Sequence, residues 1–268
     1  MLKDITLGQF FPGNSIVHRI DPRFKLILTG LFIAIVFCAK TFAGYALIFG
    51  LLLFIVLNSR ISPRLILKSL KAILIFIVFT AVLNLFFTDG ETVWFQWKFI
   101  TISREGVLFA LKMVLRIVFL IIGTSMLTYT TSPIMLTDAI ELLCSPLKKL
   151  HFPVHELAMM MSIALRFIPT LIEETDKIMS AQKSRGADFD SGNIVRRARA
   201  LIPLLIPLFV SAFRRADELA TAMESRCYRG GEGRTRYKIM RASPRDYVAL
   251  GIFAVLLAAV IVLGRFGI

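Results

Sequence analysis

Residues 26–57 read LILTGLFIAIVFCAKTFAGYALIFGLLLFIVL, and Lys40 is the only charged side chain among them. A bilayer core about 30 Å thick asks for about 20 apolar residues per helix. The stretch is too long for one upright helix and is interrupted at Lys40-Thr41. It reads either as one long tilted helix or as a hairpin of two short spans, Leu26–Ala39 and Phe42–Leu57. The flanking charges choose the hairpin. Arg19, Arg23 and Lys25 precede it, and Arg60, Arg64, Lys68 and Lys71 follow it. Cationic flanks belong on the cytoplasmic side, so the chain must cross an even number of times between them.

The pattern continues outward. A third span covers Ile73–Phe87. Thr88–Glu105 follows, with Asp89, Gly90, Trp94 and Trp97 and only Lys98 and Arg104 as cations. Tryptophan favours the membrane–water interface and a cation-poor loop suits the outside. Gly106–Thr130 returns the chain to the cytoplasm, and Tyr247–Leu263 is a fifth span. The composition agrees: the chain is 56% hydrophobic with a mean hydropathy of +0.73, against roughly 45–50% apolar residues in soluble domains. A net charge of +14 would suggest nucleic acid in a soluble protein. In a membrane protein it reads as basic cytoplasmic loops near anionic lipid or an acidic partner, and no nucleic-acid partner is expected. Cys38, Cys144 and Cys227 are scattered, which argues against a disulfide framework and fits a reducing compartment. Asp4, Gly8, Pro12, Gly13 and Asn14 precede any apolar run, so no cleavable signal peptide is expected.

Residues 131–245 break the pattern. They hold most of the Lys and Arg with acids interleaved, and no stretch there reads as apolar enough for a span. Three helices are expected. Pro133–Leu150 starts after Thr131-Ser132 with proline in its first turn. The second runs from about Val154 to Arg185, with Leu157, Met160, Met161, Ala164, Ile168, Leu171 and Ile172 as an apolar stripe. The third runs from about Asn193 to Arg229, with Leu205, Phe209, Phe213, Ala216, Ala220 and Met223 repeating the stripe and Pro203 and Pro207 expected to kink it. Glycines at 186 and 230–231 end these helices. Two helices roughly 45 Å long cannot close a core alone, so their stripes need another surface. The expected fold is an all-α integral membrane protein: a membrane domain over 1–130, a cytoplasmic domain of three long amphipathic helices over 131–245, and a final transmembrane helix over 246–268.

The two long helices end alike. One closes on Ser184-Arg185-Gly186, the other on Ser225-Arg226-Cys227 followed by Tyr228-Arg229-Gly230. An arginine there complements the helix dipole. It also makes a good key, because its planar fork binds a carboxylate bidentately and never loses its charge. Two matched keys would suit two related sockets.

Nearly end to end, the chain resembles the transmembrane T component of energy-coupling-factor (ECF) transporters, which import vitamins and transition-metal ions. Pro12-Gly13-Asn14-Ser15, His18-Arg19 and Asp21-Pro22-Arg23-Phe24-Lys25 match the family's opening. Arg166-Phe167-Ile168-Pro169 matches its second coupling helix. Ala181-Gln182-Lys183-Ser184-Arg185-Gly186 looks like its first arginine motif. Arg214–Ala220 and Ala222-Met223-Glu224-Ser225-Arg226-Cys227-Tyr228 look like its second. Serine precedes each arginine where alanine is common, and Cys227 stands where glycine is usual. The resemblance implies a multi-pass subunit of a bacterial cell membrane, its N-terminus and coupling domain cytoplasmic. It implies two ABC-type ATPase partners that receive Arg185 and Arg226 and carry the ATP and Mg. It also implies a substrate-binding S component, of which one T component can serve several, cradled by the coupling helices. Met160, Ala164, Ile168, Leu205, Phe209 and Phe213 are the contact positions this reading assigns. Membrane lipid is a further partner.

Other chemistry is weaker. No G-x-x-x-x-G-K-[ST] loop occurs, so nucleotide is assigned to another chain. His155-Glu156 opens an H-E-x-x-H pattern, but Met159 takes the second histidine position, and it reads as a helix-start pair. His18 and His151 read as interfacial polar residues. No metal, cofactor or catalytic group is expected on this chain. Lys112 and Arg116, inside the fourth span, read as snorkelling or structural cations against the default that buried intramembrane charges are functional. Arg196, Arg197 and Arg199 could face lipid, an acidic partner or solvent. A membrane enzyme built on Asp188, Asp190, Asp217 and Glu218, and a passive anchor, are the competing classes.

Overall fold

Asp21 ends the polar lead-in and caps the first helix: its carboxylate accepts from the backbone N–H of Arg23 at 2.9 Å, with Pro22 in the first turn. A short polar side chain at this place satisfies a donor the helix itself cannot. The computed structural model describes residues 10–87, 93–97, 100–187, 189, 193–231 and 240–266. The helices are α1 (Pro22–Cys38), α2 (Phe42–Ser59), α3 (Pro63–Phe87), α4 (Arg104–Thr130), α5 (Pro133–Leu143), α6 (Val154–Ser184), α7 (Ile194–Ser225) and α8 (Pro244–Phe266). A 3-10 turn covers Ser145–Leu150. One antiparallel hairpin, β1 (Val93–Trp97) with β2 (Ile100–Ser103), joins α3 to α4. The side chains of Trp94 and Trp97 lie outside the described residues, as do those of Asp188, Asp190, Arg196 and Arg197.

The chain divides into two units, Gly8–Ala139 with Met240–Ile268, and Ile140–Ile239 with Met1–Leu7. In the first, the long apolar run breaks where its one charge stands. Ala39 caps the end of α1, and the Thr41 hydroxyl caps α2 by accepting from Gly44 N–H. The hairpin therefore stands and the single tilted helix does not. Leu28, Phe32, Ile35 and Val36 of α1 are buried with Tyr45, Ile48 and Leu52 of α2, Phe119 of α4, and Phe253 and Val260 of α8. A second cluster joins Ile61 and Ile66 to Met126 and Tyr129.

Polar contacts fix which helix ends share a side. Lys25 Nζ, near the start of α1, donates to Thr130 O at the end of α4 at 2.9 Å. Asp21 N–H donates to Asp246 Oδ1 in the first turn of α8 at 3.1 Å. The starts of α1 and α8 thus lie with the end of α4, which agrees with the expectation of four helices crossing between the start of α1 and the end of α4. At the opposite end of α1, Arg116 of α4 donates to Ala39 O at 3.4 Å and lies over the Phe37 ring, and Lys112 lies over Phe42. Both intramembrane cations sit at the α1–α2 turn, in the structural role.

Among the described residues, five helices are long and apolar enough to cross a membrane: α2, α3, α4, α6 and α8. Two members differ from the sequence expectation. α1 has 17 residues, about 25 Å at 1.5 Å each, and is the shortest helix of its unit after α5; α2, α4 and α8 surround it. α6 does qualify, correcting the reading that 131–245 holds no such stretch. Its first part carries only Glu156 and Arg166, and its charges crowd into Glu173, Glu174, Asp176, Lys177 and Lys183. Pro133–Leu150 is also not one helix. It stops at Leu143, and Pro146, which lacks an N–H, continues it only as a 3-10 turn closed by His151 at φ 58°. The coupling region therefore has two long helices and a short one.

Gly123 of α4 lets the Phe32 ring lie where a side chain would be: a Cβ there would come 2.2 Å from Phe32 Cε1. Gly123→Ala is expected to lower stability by about 1–3 kcal/mol through overpacking. Gly50→Ala, at a helical glycine with open space around it, should be neutral or mildly stabilising. Thermal unfolding of the two variants in one detergent checks this; equal melting would refute the close contact.

Candidate functional site

The two serine–arginine motifs fold into the same device. Ser184 is the last residue of α6 and Ser225 the last of α7, and each hydroxyl donates back to a carbonyl one turn earlier, Ser180 O at 3.1 Å and Thr221 O at 2.7 Å. Arg185 and Arg226 are the C-caps. The following residues, Gly186 at φ 86° and Cys227 at φ 55°, are left-handed. Gly186 N–H then donates to Lys183 O and Ala187 N–H to Gln182 O; Cys227 N–H donates to Glu224 O and Tyr228 N–H to Met223 O. Both ends are Schellman caps, with the same 5→2 and 6→1 bonds. α7 ends at Ser225 rather than near Arg229, because the cap turns the chain at once.

This changes the reading of Cys227. Within the chain Cys227 is exposed, so its difference from glycine does not lie in internal packing. It lies in the backbone, because a Cβ in the left-handed region costs about 1–2 kcal/mol. The arginines are exposed, and among the described residues neither guanidinium meets a hydrogen-bond or ion-pair partner. Each is held by its backbone and offered outward by its side chain.

The two long helices run in opposite directions. Gly231, beyond the end of α7, packs on the His155 ring at the start of α6. Midway, Glu174 of α6 accepts from the Ser211 hydroxyl and from Arg215 Nη2 of α7, the latter at 2.9 Å. The arginine motifs consequently fall at opposite ends of the pair. His155 also pairs through Nδ1 with Glu141 Oε1 at 3.0 Å, tying α5 to α6. His155 and Glu156 do stand in the first turn of α6, and His155 in addition makes an inter-helix tie, between residues too far apart in sequence to suggest it. Beyond the apolar part of α6, the Ser211 hydroxyl first and the Arg215 charge after it hold the Glu174 carboxyl below its usual range, against a smaller opposing effect of burial.

The face of α7 turned from Glu174 is apolar and open. Ile202, Leu205, Ile206, Phe209, Val210 and Phe213 are each at least half exposed, and at 3.6 residues per turn they fill an arc of about 140°. Leu204, buried at 3%, lies on the other side with Ser211 and Arg215. The stripe at Leu205, Phe209 and Phe213 is therefore the middle of a wider face. On α6, Met160 and Ala164 are exposed and Ile168 is half-buried. α7 continues through Pro203 and Pro207, and α6 through Pro169. Pro169 was legible only as part of the family match, although a proline flanked on both sides by helical periodicity is itself a signal for an interrupted hydrogen-bond ladder.

Residues 13–237 match the family model described as CbiQ, cobalt transport protein. The chain is 54% identical over 263 residues, 98% of each chain, to the energy-coupling factor transporter transmembrane protein EcfT of Ruminiclostridium cellulolyticum. It is 53% identical over 266 residues to the protein of that name in Clostridium kluyveri, covering 99% of this chain and 98% of the relative. With that of Acidaminococcus fermentans it is 55% identical over 236 residues, 88% of each.

Two outcomes follow from the geometry. Cys227→Gly should relieve the left-handed residue and stabilise the end of α7 by about 1 kcal/mol, while Gly186→Val should destabilise the end of α6 by at least as much; amide exchange at the two helix ends reads both. For Glu174, a carboxyl depressed in the folded chain contributes stability that is full above its unfolded value of about 4.3 and is lost as pH falls through the folded one. Protection at the middle of α6 and α7, taken relative to the intrinsic exchange rate at each pH, should hold steady from pH 7 to about 5 and fall below about 4, and Glu174→Gln should remove that pH step. A step of equal size in the variant would show that another group causes it.

Proposed function

This chain belongs to the CbiQ cobalt transport protein family, with the transmembrane EcfT components of energy-coupling factor transporters, and we propose that it carries ATP-driven motion from two ABC-type ATPases to a substrate-binding S component. It is a multi-pass membrane protein of a transporter. In the proposed arrangement the N-terminus and the α6–α7 pair are cytoplasmic, as the placement of Arg and Lys around the spans requires. The chain performs no chemistry; ATP and Mg are held by the ATPases. The observation that supports this reading best is the repeated cap, an arginine without a side-chain partner among the described residues, fixed by the same backbone turn at both ends of an antiparallel helix pair.

The mechanism follows from stiffness. α6 and α7 have 31 and 32 residues, so each spans about 45 Å with its hydrogen bonds internal. Gripped at Arg185 and Arg226, the pair behaves as two levers pinned where Glu174 meets Ser211 and Arg215. When the ATPases close, the ends are displaced and the open apolar face, with Phe209 at its centre and Met160 on α6, changes its fit to the S component. Sliding of packed helices is a known way of making such a change. Coupling requires that the two positions differ in contact energy. Pro169, Pro203 and Pro207 supply the places where a helix bends, since each leaves a carbonyl four residues earlier without its N–H partner.

The cargo proposed is a vitamin, chosen by the S component, and one T component can serve several. The description of the matching family as cobalt transport keeps transition-metal ions as the second cargo class.

Co-purification from native membranes tests the arrangement. Arg185→Glu and Arg226→Glu are each expected to reduce ATPase recovery at least tenfold, since a charge-assisted hydrogen bond is worth about 1.5–3 kcal/mol and a like charge would replace it. The double variant should recover no ATPase. Phe209→Glu should keep the ATPases and lose uptake, which a passive anchor would not show. Normal assembly and transport in the double variant would overturn the proposal.

A further inference from the structure

We propose that the membrane unit holds one anionic phospholipid, an acyl chain lying in a groove among α1, α2, α4 and α8 and the phosphate resting against Arg245. The groove has a volume of about 430 Å³, within the range that binds discrete ligands. Its wall is almost wholly apolar, with Leu28, Phe32, Leu52, Leu127, Ile252 and Phe253 along it. From Arg245 to Phe253 it runs along α8 for about 12 Å, most of one leaflet of a bilayer core about 30 Å thick.

The polar groups on the wall decide the occupant. Lys25 Nζ is spent on His18 O, Thr130 O and Thr131 Oγ1. The hydroxyls of Thr29 and Thr130 donate to Lys25 O and Met126 O, and the Asn58 amide donates to Phe54 O. Arg245 is different: it is exposed, and among the described residues its side chain has no hydrogen-bond or ion-pair partner. The groove thus offers hydrocarbon contact along its length and one free guanidinium at its mouth. Arg19 and Arg60, sequence neighbours of the lining residues Ile20 and Asn58, are exposed as well. An acyl chain under an anionic headgroup has this polarity, and arginine is the side chain best fitted to phosphate. A peptide segment would bring a backbone N–H and C=O at every residue into a wall that, among the described residues, is almost wholly apolar and offers too few polar groups to satisfy them. The leaflet is the one facing the starts of α1 and α8. The inference does not depend on the ATPase partners.

Native mass spectrometry of the full chain, released from mixed micelles of phosphatidylglycerol and phosphatidylcholine, tests the site. The wild type should retain one phosphatidylglycerol in preference to phosphatidylcholine by about fivefold, the worth of one arginine near an anionic surface. Arg245→Gln should bring that ratio close to one with phosphatidylcholine retention unchanged. Val248→Trp, at a lining position 61% exposed, should fill the mouth and reduce both lipids. Excess inorganic phosphate should displace neither. Equal retention of the two lipids by the wild type, an unchanged ratio in Arg245→Gln, or a photo-crosslink from position 248 to a protein chain instead of a lipid would overturn the proposal. Both substitutions fall on exposed side chains, and unchanged melting confirms that the variants are folded.

Discussion

Four charged side chains meet where α1 begins, and the membrane unit depends on how they are satisfied. Asp21, Lys25 and Asp246 are buried to 6% exposure or less. Charges removed from water are costly unless paired or hydrogen-bonded; here Asp21 is ion-paired, and Lys25 and Asp246 are hydrogen-bonded. Asp21 takes a two-pronged contact from Arg23, whose Nη2 reaches Met240 O as well. Asp246 accepts from the N–H groups of Asp21 and Ser243, closing the starts of α1 and α8 together. Lys25 places its charge on the carbonyl end of α4, where the helix dipole favours a cation. Removing Arg23 would leave the Asp21 carboxylate without its cation, and removing Lys25 or Asp246 would leave buried backbone groups of the neighbouring helix ends without their partners, so the knot holds these helix ends together. That arrangement sets the direction of α1, α4 and α8.

Much of this was legible where neighbouring residues carry the information. Asp21-Pro22 announces a helix start, Lys40-Thr41 announces a turn, and Gly186 announces a helix end; each acts within a few residues of itself. The opening motif could be recognised as a family signature, but its physical task could not. Asp21 and Asp246 are 225 positions apart, and Lys25 meets Thr130 at a separation of 105. Only the fold brings them together. Lys112 and Arg116 show the same limit from the other side. Inside an apolar span they read as snorkelling or structural cations, but the atoms they meet, a carbonyl and two rings at the α1–α2 turn, belong to other helices.

The arginine motifs were legible as residues and not as geometry. Sequence shows Ser-Arg twice near helix ends, and it cannot show that the next residue is left-handed in both. Once that is known, glycine at 186 and cysteine at 227 stop being two small residues and become an easy and a strained occupant of one backbone position. The wider apolar face of α7 was missed for a related reason. A stripe at four-residue spacing marks the centre of a face, whereas its width depends on which positions the partner helix covers, and here Leu204, Ser211 and Arg215 mark the covered side.

An antiparallel helix pair pinned at its middle has an approximate two-fold axis through the pin. Two like ATPases acting together would be related by a two-fold as well, the commonest symmetry of paired subunits. A single helix carrying both arginines would present them in unlike settings, one inside the helix and one at its end. Two helices in the same direction would crowd both keys at one end. Opposed helices with matched caps let one chain offer similar contacts to both members of such a pair. The proposed coupling role favours that likeness, because a motion shared by two related motors reaches the levers evenly only if both grips hold about equally well.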